Sequence, residues 1–377
     1  MPDPTTSATY REITSQPRIW RELAESLNAA ADANAAFLGL LLARPDLRIV
    51  LTGAGTSAFV GEIAAPALAR ATGRRVEQVP TTDIVSNPRE SFAQDVPTLL
   101  VSFARSGDSP ESVAAADLAD QLLSEPFHLV LTCAADGALA AARTGRAGSH
   151  VVLMPADSND TGFAMTSSFT SMLLSCLILL GGESPALIDR LAAAADAMIA
   201  THAGDVARIA AKDAARLVCL GSGPLRGLAH EAGLKFLELT AGARVSFFES
   251  ALGFRHGPKA VVDENTQVIV FVSSDPYTRL YDLDIVAELR AGIGVDNVLV
   301  LAASPLDVAG AWVLPGLDGV PDAFAAAVHI IVPQLLGVYT SAALGKDVDN
   351  PFPSGDVNRV VQGVVIHELP SVLASTS

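Results

Sequence analysis

LRIVLTGAGTSAFVGEIAAPALAR, residues 47–70, reads as a buried strand, a glycine turn and a helix; ARLVCLGSGPLRGLAHEAGLKFLE, residues 215–238, reads the same way. Downstream of each, TLLVSFARSGDSPESVAAADLADQL (98–122) and TQVIVFVSSDPYTRLYDLDIVAEL (266–289) again give an apolar strand, a Ser-rich turn and a helix. The spacing repeats as well: Gly53 to Ser106 and Gly221 to Ser274 are both intervals of 53 residues. A strand–turn–helix unit written twice at matched spacing predicts two tandem α/β domains. Each would be a three-layer αβα sandwich around a parallel sheet of the doubly wound, flavodoxin-like kind.

Working outward, FHLVLTCAAD (127–136) and NVLVLAAS (297–304) are expected as further strands of the two halves. The expected organisation is a helical segment over 1–39, a first domain over 40–195, a second over 205–346 and a Pro- and Gly-rich tail over 347–377. The connection LAAAADAMIATHAGDVARIAAKDA (191–214) looks helical throughout, so the halves should be packed together rather than loosely tethered.

Of the 377 residues, half are apolar and 18% charged, enough to bury large cores. The formal charge of −16 argues against a nucleic-acid or anionic-membrane surface. It leaves room for a small phosphorylated ligand, which a local nest of amides can hold against the net charge. Cys133, Cys176 and Cys219 lie far apart in apolar runs and read as buried free thiols of a reducing, cytoplasmic environment. MLLSCLILLGG (172–182) is too short to span a bilayer, and the first residues carry no apolar leader, so no membrane partner is expected.

In an open parallel sheet ligands sit beyond the carboxyl ends of strands, where turns lead into helix N-termini. Gly53–Ser57 and Arg105–Ser109 fall there, offering amides and hydroxyls to a phosphate. One Gly-Ser-Thr turn reads as an ordinary helix start; two at equivalent strand ends point to a site. GAGTSA also fits the dinucleotide fingerprint GxGxxG/A, with Glu77 near where a ribose-binding acid would stand. No Walker A lysine follows either turn.

On the helix after Gly223, Glu231, Lys235 and Glu238 share one face. An exposed salt-bridge stripe would have this pattern. So would a partly buried cleft, where a carboxylate can be tuned as a general base. HEAGL is not HExxH, since residue 234 is leucine, and no histidines stand at ligand spacing; no metal is inferred. In FRHGPK (254–259), Pro258 fixes an irregular turn that presents His256 between Arg255 and Lys259, cations that would disfavour its charged form.

Taken together, LTGAGTSAFVG, VSFARSGDSPES, EAGLKFLEL, FRHGPK, VFVSSDPYTR and NPFPSGDVNRVVQG resemble the tandem sugar-isomerase (SIS) domain family. Within it the chain looks like the bacterial galactosamine-6-phosphate deaminase/isomerase subfamily, also described as tagatose-6-phosphate ketose/aldose isomerase. The likeness extends over nearly the whole chain, including PRIWRELAESL (17–27). The resemblance implies that Gly55, Thr56, Ser57, Arg105, Ser106, Gly107 and Ser109 hold a sugar 6-phosphate, and that Thr166 and Ser167 line the sugar site. It implies Glu238 as the carboxylate that moves a proton between C2 and C1. Glu231 and Lys235 would flank the reacting end, and His256 would open the ring from a neighbouring subunit. Residues 347–377 would contribute to the site, with Arg359 the nearest counterpart of a C-terminal lysine found in the related synthases.

The family implies no cofactor and a homodimer or higher oligomer with shared sites. The expected activity is conversion of a 2-amino-2-deoxyhexose 6-phosphate, in the first place D-galactosamine 6-phosphate, to tagatose 6-phosphate and ammonia. A fructosamine-6-phosphate deglycase, a plain aldose–ketose isomerase and a non-catalytic phosphosugar sensor are the alternatives.

Overall fold

The computed structural model describes residues 3–370, so the last seven residues of the expected tail, 371–377, fall outside it. Helices α1 (Ala8–Ala29) and α2 (Ala31–Leu42) lead into strand β1 (Arg48–Thr52), α3 (Thr56–Thr72) and β2 (Val76–Gln78). Then come α4 (Thr81–Ser86), α5 (Pro88–Ser91), β3 (Thr98–Ala104), α6 (Pro110–Leu122), β4 (Pro126–Thr132), α7 (Ala138–Arg143), β5 (Ser149–Leu153) and α8 (Ser167–Gly181). The long α9 (Leu187–Ala210) spans most of the connection expected to be helical. It is followed by β6 (Arg216–Gly221), α10 (Pro224–Leu239), β7 (Val245–Glu249), β8 (Thr266–Val272) and α11 (Pro276–Ile293). Strands β9 (Val298–Ala302) and β10 (Trp312–Val313) and helices α12 (Asp322–His329) and α13 (Ile331–Ala343) complete the second half.

Both sheets are parallel, with orders β2-β1-β3-β4-β5 and β10-β9-β8-β6-β7. Read from β7, the second order reproduces the first, so the sequence repeat is a topological repeat. Order reverses between β1 and β3 and, equivalently, between β6 and β8, and the crevice at such a switch point is where ligands bind. The central strands β3 and β8 are buried along their whole length, as expected for strands covered on both faces.

The repeated glycines have a backbone reason. Gly55 (φ 54°, ψ −128°) and Gly223 (φ 58°, ψ −129°) hold the same conformation, one that side chains strongly disfavour. Their partners Gly53 and Gly221 pass so close to the following helix that a Cβ would lie within 3 Å of its backbone.

The inner faces of the two sheets share one core. Leu51 and Val101 of the first, and Cys219 and Phe271 of the second, join residues of α1, α3, α8, α9, α10 and α13. Each outer face has its own layer. Val50, Leu100 and Val130 lie under Ile84 and Ala115, and Val218, Leu220 and Val268 lie under Phe254, Ile285 and Leu289. The halves are therefore packed together, and α3 runs against α10 so tightly that a Cβ at Gly227 would come within 3 Å of Glu62 and Ile63. Asp322–Ala343 has the length and apolarity of a membrane span, yet 94% of its window is buried inside the protein.

Candidate active site

Helix α10 begins at the positive-φ glycine and Pro224, and it places Glu231, Lys235 and Glu238 one above another on the side facing the first half. They do not form an exposed stripe. Glu231 and Lys235 are completely buried, and Glu238 keeps about a quarter of its side chain open. The Lys235 ammonium is 2.5 Å from Glu238 Oε2 and 3.6 Å from Glu231 Oε1. Burial works against that ammonium, but the two carboxylates outweigh it and hold its pKa above the usual lysine value. Burial raises the Glu231 carboxyl to about 8, with repulsion from Glu238 adding to it while Lys235 and Thr56 oppose it. Lys235 thus pairs most closely with the partly open Glu238, and Glu231 keeps its proton at neutral pH.

That protonation has a measurable consequence. Unfolded, Glu231 loses its proton near the ordinary glutamate value; folded, it holds it to about pH 8. The native state binds the extra proton in between, so stability falls as pH rises through that window, by up to about 1.4 kcal/mol per pH unit. Glu231→Gln removes this slope. Urea unfolding from about pH 5 to about pH 8 is expected to shift in the variant's favour relative to the parent.

Across from α10 stand the two turns of the first half. Thr56 and Ser57 open α3 and are nearly buried; Ser106 and Ser109 are half-buried and Gly55 is exposed. Among the described residues, the backbone amides of Gly55, Thr56, Ser106, Gly107 and Ser109 have no hydrogen-bond acceptor in the chain. Ser109 Oγ shares a 2.6 Å bond with Ser112 Oγ, and the Asp108 amide donates to Ser106 Oγ at 3.3 Å. Gly107 has φ 73°, and the turn packs on Gly137, where a Cβ would lie 2.1 Å from the Ser106 carbonyl oxygen. Free amides and hydroxyls around a helix start form a cradle for a phosphate.

Arg105 joins this cradle to the acid row. Only 6% of it is exposed, and its Nη2 donates to the Arg359 carbonyl at 2.7 Å. Burial, followed by the charge of Arg359, lowers its pKa; Asp160, Cys133 and Glu238 act in the opposite sense. Lys235 in turn feels the Arg105 charge. The Ser106–Ser109 turn, the Arg105 guanidinium and Glu238 therefore stand near enough to act on one another electrostatically.

Thr166 and Ser167 stand at the start of α8. Both are fully buried, and their hydroxyls donate to Asp160 Oδ1 at 2.7 Å and to the Glu12 carbonyl at 2.9 Å. Asp160 escaped sequence reasoning. Its carboxylate accepts from the Thr166, Ser167 and Ser168 amides, holding the start of α8, and its carbonyl accepts from Arg359. An aspartate seven residues before the start of a helix has no local capping signature, so only the fold reveals it. The His230 ring was also missed; it lies between Phe59 and Phe248 with Nδ1 3.0 Å from Glu62, fixing α10 against α3.

His256 does not reach these groups within one chain. Its turn, Gly253–Val261, lies on the outer layer of the second sheet, where Phe254 packs, while α10 covers the inner face. The imidazole is exposed, and the flanking cations are not free charges beside it, because Arg255 and Lys259 both pair with Glu288. Glu77 grips Arg48 through two bonds, of 3.0 and 2.8 Å, so it is not available as a ribose-binding acid. Among the described residues, no three His, Cys, Asp or Glu side chains are grouped to hold a metal. Burial pushes the pKa of all three thiols up.

The second half shows why donors stay unfilled in one cradle while most of those in its duplicate are taken up. There Asp322 accepts from Ser273 Oγ at 2.5 Å, Ser274 Oγ at 2.5 Å and the Ser274 amide at 2.8 Å. Asp282 takes Ser222 Oγ at 2.6 Å and the Ser273 amide at 2.9 Å. Two internal carboxylates occupy the place that an outside anion would take. In the repeat register, Ile63, Ala67 and Arg70 stand where Glu231, Lys235 and Glu238 stand on α10. A hollow of about 930 Å³ persists over these turns, without the acid row. Asp322→Ala would strand three donors and is expected to cost about 2–4 kcal/mol of stability, read from the midpoint of urea unfolding.

The SIS domain family model matches residues 41–180. A Streptomyces coelicolor protein, provisionally named D-galactosamine-6-phosphate deaminase AgaS, is 56% identical over 96% of this chain and 95% of its own. An Escherichia coli D-galactosamine-6-phosphate deaminase AgaS is 45% identical over 95% of each. The crystal structure of tagatose-6-phosphate ketose/aldose isomerase from Escherichia coli superposes with a TM-score of 0.89 at 42% identity, covering 97% of this chain and 98% of that one. With two halves of one topology and relatives matched over nearly its whole length, the chain belongs to the SIS-domain family, among the proteins named galactosamine-6-phosphate deaminase AgaS.

Proposed function

We propose that the protein converts D-galactosamine 6-phosphate to tagatose 6-phosphate and ammonia. The supporting observation is the juxtaposition of the unfilled amide cradle at Gly55–Ser57 and Ser106–Ser109 with the Glu231–Lys235–Glu238 row. A 6-phosphate in the cradle directs C1 and C2 of an opened sugar towards α10. His256 of a second copy moves a proton at the ring oxygen, giving the aldehyde. Glu238 then takes the C2 proton while the C1 oxygen gains a proton, giving the enol. It returns its proton to C1 as the 2-amino group gives one up. The net change moves one hydrogen from C2 to C1 and one from nitrogen to the C1 oxygen. The resulting C2 ketimine adds water and loses ammonia, leaving the ketose. Lys235 stabilises charge on Glu238 and at the C1 oxygen, and neutral Glu231 leaves Glu238 as the base.

The route needs two copies of the chain with sites shared between them, because the imidazole and the acid row lie on opposite faces of the second sheet. A cytoplasmic location suits a phosphorylated substrate. The test is ammonium release from galactosamine 6-phosphate beside glucosamine 6-phosphate and fructosamine 6-phosphate. Release from the first alone or fastest supports the reading. Amino-acid release from a fructosamine phosphate would make it a deglycase, and ligand-induced stabilisation without turnover would make it a sensor.

A further inference from the structure

The hollow of about 930 Å³ over the turns of the second half lies between the two halves and has the size of a small-molecule site. Its walls are the last turns of α3 and α8 on one side and the segments that follow β6, β8 and β9 on the other. Leu68, Leu177 and Phe324 supply an apolar part of the lining. One polar group there is left over. Ser304 is only 7% exposed and lines the hollow, and neither its hydroxyl nor its amide has a hydrogen-bond partner among the described residues. A buried donor without a partner is unfavourable, so such a group persists where something from outside completes it.

A phosphate does not fit this hollow. In the repeat register Gly223, Pro224, Ser274, Asp275 and Tyr277 stand where Gly55, Thr56, Ser106, Gly107 and Ser109 keep free amides. Pro224 has none to offer, and those of Ser274, Asp275 and Tyr277 are taken by Asp322, the Ser273 hydroxyl and Asp275. The charge has the wrong sign as well, since Glu183, Asp275, Asp318 and Asp322 line the hollow against Arg70 and Arg279. Arg279 is engaged by the Ser273 and Ser274 carbonyls at 3.0 and 3.1 Å, and Arg70 lies 3.8 Å from Asp275. The carboxyl ends of α3 and α8 add the negative ends of their dipoles. Surplus negative charge suits a cation, and carboxylates beside a free hydroxyl and amide suit a ligand rich in hydroxyls.

We infer that the hollow is a second ligand site, for a free amino sugar: an ammonium-bearing polyol without phosphate. The ammonium is drawn to the Glu183, Asp275 and Asp318 carboxylates, and sugar hydroxyls complete Ser304. Asp322 stands where a phosphate would, so a phosphorylated sugar is repelled. One helix joins this site to the cradle of the first half, because α3 begins at Thr56 and Ser57 and forms the hollow's wall at Pro66–Ala71. Binding at one end of α3 thereby couples to anion binding at the other. The coupling rests on the phosphate reading of the first cradle; the second site itself does not.

The experiment is calorimetric titration of the full chain with galactosamine, galactose and inorganic phosphate as probes. Galactosamine should bind while saturating phosphate occupies the first cradle, and galactose should bind about tenfold more weakly for want of the ammonium. Ala67→Trp, which fills the hollow from α3, should abolish galactosamine binding while phosphate still binds. Should that variant not fold, Ser304→Ala combined with Asp318→Asn gives the same test, since Ser304 has no partner to lose and Asp318 is exposed. Together they should weaken galactosamine by about tenfold or more. Galactosamine should also change the Kd of phosphate by about fivefold or more, and phosphate that of galactosamine by the same factor. A parent that does not bind galactosamine, binding undiminished in the variants, or galactose bound as tightly overturns the site. Binding that leaves the phosphate Kd unchanged overturns the coupling. No turnover is measured, so failure here leaves the deaminase reading standing, and loss of that reading leaves the second site.

Discussion

Glu238→Gln is expected to lower kcat by about 10²–10⁴-fold or more, the contribution of a positioned general base, with little change in phosphosugar binding. The fold should tolerate it. Lys235 loses its 2.5 Å anion, but Glu231, no longer repelled by a second carboxylate, becomes the ionised partner at 3.6 Å. The amide cradle at Gly55–Ser57 and Ser106–Ser109 belongs to the other half of the chain and is untouched. Steady-state kinetics and the Tm shift with the ketose phosphate check both parts. A variant with parental kcat would remove Glu238 from the proton transfer.

His256→Asn should fall nearly as far, about 10²-fold or more in kcat/KM, for a different reason. The imidazole is exposed and the described residues give it no partner in its own chain, so its loss should leave the unfolding midpoint unchanged. Its effect should lie on ring opening, the step that makes the aldehyde. On the proposed route, in which His256 acts in a neighbouring chain's site, parental specific activity should also drop on dilution into the range where copies separate. Activity per chain that stays constant down to proven monomer would contradict the shared site.

Much of this was legible in the sequence, and the reasons differ from residue to residue. The doubled glycine turns could be read because positive φ and close helix approach leave few alternatives to glycine, and the 53-residue spacing then revealed the duplication of the two halves. Strands β2 and β7 gave no comparable signal. Both are short sheet-edge strands, partly exposed, with no continuous apolar run. The phosphate turn and the acid row were visible as patterns, but not the burial of Lys235, which depends on α3 packing against α10. Least legible was the difference between the two cradles. Ser273 and Ser274 look as ready for phosphate as Ser106 and Ser109; what fills them is Asp322, which reaches the turn only through the fold. The pairing of Arg105 with Arg359 is hidden in the same way, since the two lie at opposite ends of the chain.

The most direct measurement is ammonium release from galactosamine 6-phosphate after subunit exchange between the Glu238→Gln and His256→Asn proteins. Each mixed pair rebuilds one complete site from two defective chains, so equal mixing should recover about a quarter of the parental rate. A mixture that stays at the parents' residual rates, with exchange verified by mass-tagged subunits, would show that acid and imidazole do not meet across the contact between chains.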